Sequence, residues 1–263
     1  MDAQRPRRAV AMSVIGLHVD PESPAPASSA GPDLPAGSGS VICDSSPTAG
    51  AGYEPTPWEL ALSVERAGNL VGAALAFLAC PPDPVRGRAP AVFQAAWCLE
   101  RAGQTEDAAK YYAEVVESST EPGLLAEAYF RLAWLALEGR EPEAAIPRLD
   151  SAIALADAHG LASPTIEHAR YWSVVCLEGE GRLVDAAIQY QPIIEGGNPD
   201  LWPEAAYRRL LCLSQVGDLD GALAATEVIL RPTADARDLD RLRALQELAR
   251  EERWQIERAR AFA

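Results

Sequence analysis

The chain of 263 residues has few of the features that mark secreted, membrane-spanning or nucleic-acid-binding proteins. Its five cysteines are odd in number and have no close spacing, which argues against a disulfide framework and a structural zinc site. No uncharged apolar run approaches the roughly 18 residues that span a bilayer. A formal net charge of −15 disfavours a phosphate backbone as ligand. We therefore expect no membrane insertion and no nucleic-acid partner.

Groups suited to catalysis and metal binding are also scarce. None of the three histidines stands in a nucleophile motif. His168 and Cys176 lie about two helical turns apart, roughly 12 Å, which is too far to share one ion. Residues 179–184 lack the third glycine of a dinucleotide fingerprint and follow a helix rather than a strand. The sequence predicts no enzyme activity, no cofactor and no metal site.

The first 55 residues are rich in proline, serine, glycine and alanine, a composition that predicts a disordered tail over residues 1–55. The start imitates a signal peptide, but His18 ends its apolar run after nine residues. Lysine occurs once, at Lys110, and this arginine bias is typical of a high-GC bacterium. We expect a cytoplasmic bacterial protein, with export as the alternative.

From residue 56 onward the chain repeats itself. Five glycines are spaced by 35, 36, 42 and 36 residues, at Gly68, Gly103, Gly139, Gly181 and Gly217. Ten residues before each glycine stands an aromatic residue, and five residues after it stands an alanine. In the third repeat these residues are Tyr129 and Ala144. Nine residues after the glycine an aromatic recurs, except that Arg148 and Thr226 break the pattern.

Each repeat is predicted to be a helical hairpin: one helix, a turn at the glycine, and a second helix whose small alanine permits close approach. Capping residue and proline pairs at Thr56–Pro57, Ser163–Pro164 and Asn198–Pro199 mark predicted helix starts. One hairpin cannot bury its apolar face alone, whereas five in series can, which gives a solenoid. The predicted array covers residues 56–232, with repeats at about 57–82, 90–119, 122–160, 164–196 and 199–232.

This pattern resembles the tetratricopeptide repeat (TPR) family, and residues 127–139, EAYFRLAWLALEG, match it best. The resemblance implies an all-α fold, a right-handed superhelix of helical hairpins. It also implies that the first helices of the hairpins line a concave groove that binds an extended peptide or a helix. Carried over position by position, the predicted groove residues are Gln94, Arg101, Phe130, Trp134, Trp172, Arg208 and Gln215. Arg131 is added to this set because its guanidinium could meet a partner's carboxylate.

The middle of this set is aromatic and its ends are polar, which suits a partner segment with large apolar side chains. The alternative is that Phe130, Trp134 and Trp172 pack between neighbouring first helices.

The last segment, residues 234–263, is predicted to form one helix with an apolar leucine stripe. It is interpreted as a cap on the last hairpin or as a docking helix, since Trp254 and Ile256 extend its apolar pattern.

Taken together, these features favour a non-catalytic protein–protein interaction scaffold or adaptor. One alternative is a self-assembling or ligand-sensing solenoid, with self-association through the groove or the C-terminal helix. A less favoured alternative is an exported assembly factor.

Overall fold

A computed structural model describes residues 54–231 and 238–261. Within these two ranges the chain forms eleven α-helices and no strand. The helices are α1 Pro57–Arg66, α2 Leu70–Leu78, α3 Ala89–Arg101, α4 Thr105–Ser118, α5 Pro122–Glu138, α6 Pro142–His159, α7 Pro164–Gly179, α8 Leu183–Gly196, α9 Trp202–Val216, α10 Leu219–Leu230 and α11 Leu239–Ala261. The tail predicted to be disordered, residues 1–55, lies almost wholly outside the described residues.

The first ten helices pair into five antiparallel hairpins, α1–α2 through α9–α10, and each hairpin packs against the next along the chain. Buried alanines and aromatic residues fill the contacts between helices. The prediction of an all-α solenoid of helical hairpins is confirmed.

Local chemistry explains where the helices begin. Thr56 and Glu59 form a capping box: the Thr56 hydroxyl accepts from the Glu59 N–H, and the Glu59 carboxylate accepts from the Thr56 N–H at 2.8 Å. Ser163 caps α7 with one bond only, its hydroxyl accepting from the N–H of Ile166. The predicted start at Asn198–Pro199 is wrong, because those residues form a turn and α9 begins at Trp202.

The turns inside the hairpins correct the predicted repeat register. Four turns place a glycine in the left-handed region, such as Gly103 at φ 77° and Gly217 at φ 84°. In the third hairpin the left-handed residue is Arg140, at φ 61°, while Gly139 has φ −71°. The equivalent residues before two other turns, Ala67 and Ala102, have the same right-handed conformation and carry a Cβ, so this position does not require glycine. The turn residue of this hairpin is therefore Arg140, and the predicted register of this hairpin is one residue early.

Counting from Arg140 makes the five hairpins equivalent. The alanine five residues after each turn residue is fully buried in every hairpin: Ala73, Ala108, Ala145, Ala186 and Ala222. The residue nine after the turn residue is also fully buried in every hairpin: Phe77, Tyr112, Leu149, Tyr190 and Thr226. The first aromatic of the third repeat is accordingly Phe130 rather than Tyr129, and the alanine is Ala145 rather than Ala144.

The last helix, α11, covers the fifth hairpin. Leu242, Leu245, Ala249 and Ile256 are buried in the same cluster as the residues of α9 and α10. Gln246 donates through Nε2 to the Ile229 carbonyl oxygen at 2.9 Å. The predicted cap is confirmed, and it extends further than expected because Ile256 is buried, whereas Trp254 is exposed.

Candidate functional site

Three of the predicted groove residues lie in the interior. Phe130, Arg131 and Trp134 are all buried, so their side chains have no surface to offer a partner. The one-residue register error explains this result for Phe130 and Trp134, whereas Arg131 stands at the same repeat position as Gln94, Trp172 and Arg208 and is buried by its partners. In the corrected register Phe130 is the buried first aromatic of its hairpin, and Trp134 is equivalent to Trp97 of the second hairpin, six residues before the turn.

The other predicted groove residues keep some exposure. Trp172 of α7 and Gln94 of α3 are partly buried, while Arg101 and Gln215 at the ends of their helices are exposed. Arg208 is partly buried and ion-paired. The structure brings Trp134 and Trp172 together across neighbouring first helices, with ring centroids 5.4 Å apart in an edge-to-face arrangement.

A buried polar network, which sequence reasoning missed, joins the second hairpin to the third. The Tyr112 hydroxyl of α4 donates to Glu100 Oε2 of α3 at 2.7 Å. Arg131 of α5 pairs with two carboxylates. Its Nη1 atom is 3.5 Å from Glu100 Oε1, and its Nε atom is 3.2 Å from Glu127 Oε1. The guanidinium carbon of Arg131 also stands 4.0 Å from the centroid of the Trp97 ring. We call Glu100, Tyr112, Glu127 and Arg131 the first network.

The first network is buried enough to alter the acidity of its members. Burial raises the pKa of Glu100 above its ordinary value, although the charge of Arg131 and the hydrogen bond from Tyr112 oppose that shift. Burial, followed by the charge of Glu100, raises the pKa of Tyr112 well above its ordinary value. Tyr112 is therefore a neutral hydroxyl donor, and one guanidinium serves two carboxyl groups.

A second network of the same composition joins the fourth hairpin to the fifth. The Tyr190 hydroxyl of α8 donates to Glu178 Oε2 of α7 at 2.8 Å. Arg208 Nη1 of α9 donates to the same Glu178 oxygen at 3.2 Å, and Arg208 Nε lies 3.4 Å from Glu204 Oε1. We call Glu178, Tyr190, Glu204 and Arg208 the second network.

The two networks occupy identical repeat positions. In the first hairpin of each pair, the glutamate stands three residues before the turn residue and the tyrosine nine residues after it. In the next hairpin, the arginine stands nine residues and the second glutamate thirteen residues before that hairpin's own turn residue. Counted from Gly139, Arg131 is eight residues before the turn and does not match Arg208. In the register predicted from the glycines, the two networks therefore do not stand at equivalent positions.

The junction between the third and fourth hairpins carries apolar residues at three of these positions. Leu137 and Leu149 are buried where the glutamate and tyrosine stand elsewhere, and Trp172 takes the place of the arginine. Trp134 contacts Trp172, as Trp97 contacts Arg131, because each tryptophan stands six residues before its turn residue. The indole N–H of Trp134 donates to Glu138 Oε1 at 2.9 Å.

The junction between the first and second hairpins is mixed. Its glutamate position holds Glu65, but its tyrosine position holds Phe77 and its arginine position holds Gln94. Glu65 instead pairs with the exposed Arg101, whose Nη1 lies 2.6 Å from Glu65 Oε1. The ion pair at this junction is therefore closer to solvent than either network.

The cysteines of the described ranges are buried free thiols. They are Cys80, Cys98, Cys176 and Cys212. Burial raises the pKa of Cys98 and Cys212 to about 12 and that of Cys176 to about 11. Because the thiolate is the reactive form, such thiols are poor nucleophiles at neutral pH.

Among residues 54–231 and 238–261, no group of three or more His, Cys, Asp or Glu side chains is arranged to hold a metal ion. In the same part of the chain, no helix combines the length and apolar character needed to cross a membrane.

Comparison with known proteins supports the repeat assignment. The tetratricopeptide repeat family model matches residues 91–119, which include most of α3 and all of α4. BtubC (BKLC) from P. vanneervenii is similar in structure at 17% sequence identity and a TM-score of 0.54, over 77% of this chain and 87% of that chain. MamA AMB-1 is similar at 14% identity and a TM-score of 0.50, over 65% of this chain and 87% of that chain.

A third solved structure, YrrB, is described as a TPR protein with an unusual peptide-binding site. It is 17% identical, with a TM-score of 0.48, over 65% of this chain and 82% of that chain. At these identities the likenesses show the fold alone. No curated protein sequence matches the chain.

Proposed function

Because the chain is a tetratricopeptide-repeat protein, we propose that it is a non-catalytic scaffold that binds a segment of another protein along the first helices of its hairpins. The observation that carries this proposal is the partly exposed Trp172 on α7, held edge-to-face against the buried Trp134. A rigid aromatic side chain with an exposed part is a typical anchor for a partner's apolar side chain.

The proposed contact set is smaller than the one expected from the sequence. It keeps Trp172 as the apolar anchor, together with the polar residues Gln94, Arg101 and Gln215 on the first helices of the second and fifth hairpins, all of which retain exposure. Phe130, Arg131 and Trp134 leave the set because they are buried. The proposed partner is a peptide or helix with at least one large apolar side chain, whose burial would contribute roughly 1.5 to 3 kcal/mol.

The proposal includes a cytoplasmic bacterial setting, which is supported by the arginine bias and by the unpaired state of the four cysteines in the described ranges. The absence of catalysis is supported by the raised pKa values of the buried thiols and by the assignment of the buried Glu100 and Glu178 to structural networks.

The test is affinity capture from the native host with the tagged full-length chain, followed by a binding measurement on the recovered protein. Trp172→Ala should abolish its recovery, whereas Val184→Ala, an exposed apolar truncation in the same hairpin, should leave it unchanged. Gln215→Arg adds a second groove variant that cannot disturb the core, because Gln215 is exposed, and it should weaken binding. Unchanged binding in Trp172→Ala and Gln215→Arg would exclude the groove as the site.

A further inference from the structure

The junction between the third and fourth hairpins holds a carboxylate that no cation contacts. Glu138 is the last residue of α5, and its Oε1 atom accepts the indole N–H of Trp134 at 2.9 Å. It forms no ion pair with a cationic side chain of residues 54–231 or 238–261. Burial raises the pKa of Glu138 above its ordinary value, although the hydrogen bond from Trp134 and the charge of Arg131 oppose that shift.

Glutamates on the first helices at the other junctions pair with arginine. These pairs are Glu65–Arg101, Glu100–Arg131, Glu127–Arg131, Glu178–Arg208 and Glu204–Arg208. At the third junction the arginine position holds Trp172, so the chain supplies no guanidinium there. Glu138 stands two residues before its turn residue, as Arg101 and Gln215 of the predicted groove do, and like them it is exposed.

The first network shows how a guanidinium fits between an indole and a carboxylate. The guanidinium carbon of Arg131 lies 4.0 Å from the centroid of the Trp97 ring, and its Nη1 atom lies 3.5 Å from Glu100 Oε1. At the third junction Trp172 and Glu138 both contact a single indole, that of Trp134. An exposed carboxylate and a partly exposed aromatic ring beside one another suit a cation that can both pair and stack.

We propose that the partner segment carries an arginine next to its large apolar side chain, and that this arginine pairs with Glu138 and stacks against Trp172. This inference rests on the proposed function, because it names the chemistry of the partner in the same groove. The partner's arginine would supply in trans the guanidinium that Arg131 and Arg208 supply within the chain.

Charge and shape both select arginine. The formal net charge of −15 attracts a basic segment and repels an acidic one. An acidic segment would also place a second carboxylate beside Glu138. A lysine ammonium can pair with a carboxylate, but it has no planar face to stack on an indole.

The first experiment is a phage selection of random peptides on the full-length chain, in parallel with its Trp172→Ala and Glu138→Arg variants. We expect the wild type to enrich peptides with an arginine next to a large apolar residue. Glu138→Arg should instead enrich Asp or Glu at that place, because the charge at the site is reversed. Trp172→Ala should bind none of the peptides that the wild type selects.

The second experiment measures the dissociation constant of one peptide selected by the wild type. Glu138→Gln keeps an acceptor for the Trp134 N–H but removes the charge, and it should raise the dissociation constant at least about tenfold. The control is Glu143→Gln, which removes the same charge from an exposed site at the start of α6 and should leave binding unchanged. A peptide with glutamine in place of its arginine should bind the wild type and Glu138→Gln equally. Circular dichroism confirms that each variant is folded.

The outcomes separate this inference from the proposed function. Peptides that require Trp172 but show no enrichment of arginine, or that bind Glu138→Gln as tightly as the wild type, would overturn the inference and leave the groove as the binding site. A selection that yields no peptide, or peptides that bind Trp172→Ala as tightly as the wild type, would overturn both.

Discussion

Two junctions of this array place opposite chemistry at the same repeat positions. Between the second and third hairpins stand Glu100, Tyr112 and Arg131, joined by hydrogen bonds and an ion pair. Between the third and fourth hairpins the equivalent residues are Leu137, Leu149 and Trp172. The three positions change together, which fits the high cost of leaving one member of a buried polar network without its partners.

The mixed junction supports the same rule. Where Phe77 and Gln94 replace the tyrosine and the arginine, Glu65 pairs with a residue nearer solvent, Arg101, instead of lying in a buried network. A carboxylate without the tyrosine and arginine of the networks is tolerated at this junction because water and an exposed guanidinium solvate it. The packing of neighbouring hairpins therefore accepts a complete polar set, an apolar set, or a glutamate that pairs with an arginine nearer solvent.

Removing the cation from the polar junction should have the largest effect. Arg131→Ala leaves Glu100, whose side chain is only 9% exposed, with only the Tyr112 hydroxyl as partner, and we expect a loss of about 3 to 5 kcal/mol in the free energy of unfolding. Urea denaturation measures it. The control is Arg101→Ala at the mixed junction, which should cost about 0 to 1 kcal/mol because that pair is closer to solvent. Equal losses in the two variants would contradict the comparison.

Removing one hydroxyl should have an intermediate effect. Tyr112→Phe leaves one oxygen of Glu100 without its donor, and we expect a loss of about 1 to 3 kcal/mol in the free energy of unfolding. Tyr111→Phe is the matched control on the same helix, since its partly buried ring lies outside the network, and it should change stability by less than about 0.5 kcal/mol. Thermal and urea unfolding of both variants provide the test. A Tyr112→Phe protein as stable as this control would rule out the hydrogen bond as a stabilising element.

The smallest effect concerns pH. The pKa of Glu100 is raised by burial above the ordinary 4.5, so the folded state holds this proton more tightly than the unfolded state. Its contribution to stability is full below about pH 4.5 and is lost as the pH rises through the raised pKa. The unfolding free energy of the wild type minus that of Glu100→Gln should therefore fall between about pH 4 and pH 7. A difference that rises with pH would contradict the sign.

Much of the fold follows from short-range sequence patterns. The aromatic, turn glycine and alanine recur at fixed spacing, and proline with a capping residue marks helix starts such as Thr56 and Ser163. These signals are local, because they act through backbone conformation and through contacts within one hairpin. They are sufficient to predict a solenoid of helical hairpins and its capping helix.

The interior of the candidate site could not be predicted in the same way. The left-handed residue of the third turn is Arg140, and a glycine pattern points one residue too early, to Gly139. That single step placed Phe130 and Trp134 in a groove when both are buried. The same register error assigned Arg131 and Arg208 to different repeat positions. A network between two hairpins can be predicted only when the register of both hairpins is correct.

The exchange of one junction's chemistry for the other's tests the central claim most directly. The triple variant Glu100→Leu, Tyr112→Leu and Arg131→Trp gives three positions of the polar junction the residues of the apolar one, including an indole where Trp97 now contacts a guanidinium. Glu127, the fourth member of the first network, also loses Arg131, but its side chain is 19% exposed and water can solvate it. We predict a folded protein whose unfolding free energy exceeds that of Arg131→Ala by at least about 2 kcal/mol. A triple variant as unstable as Arg131→Ala, or less stable, would contradict the claim that these positions accept either complete set.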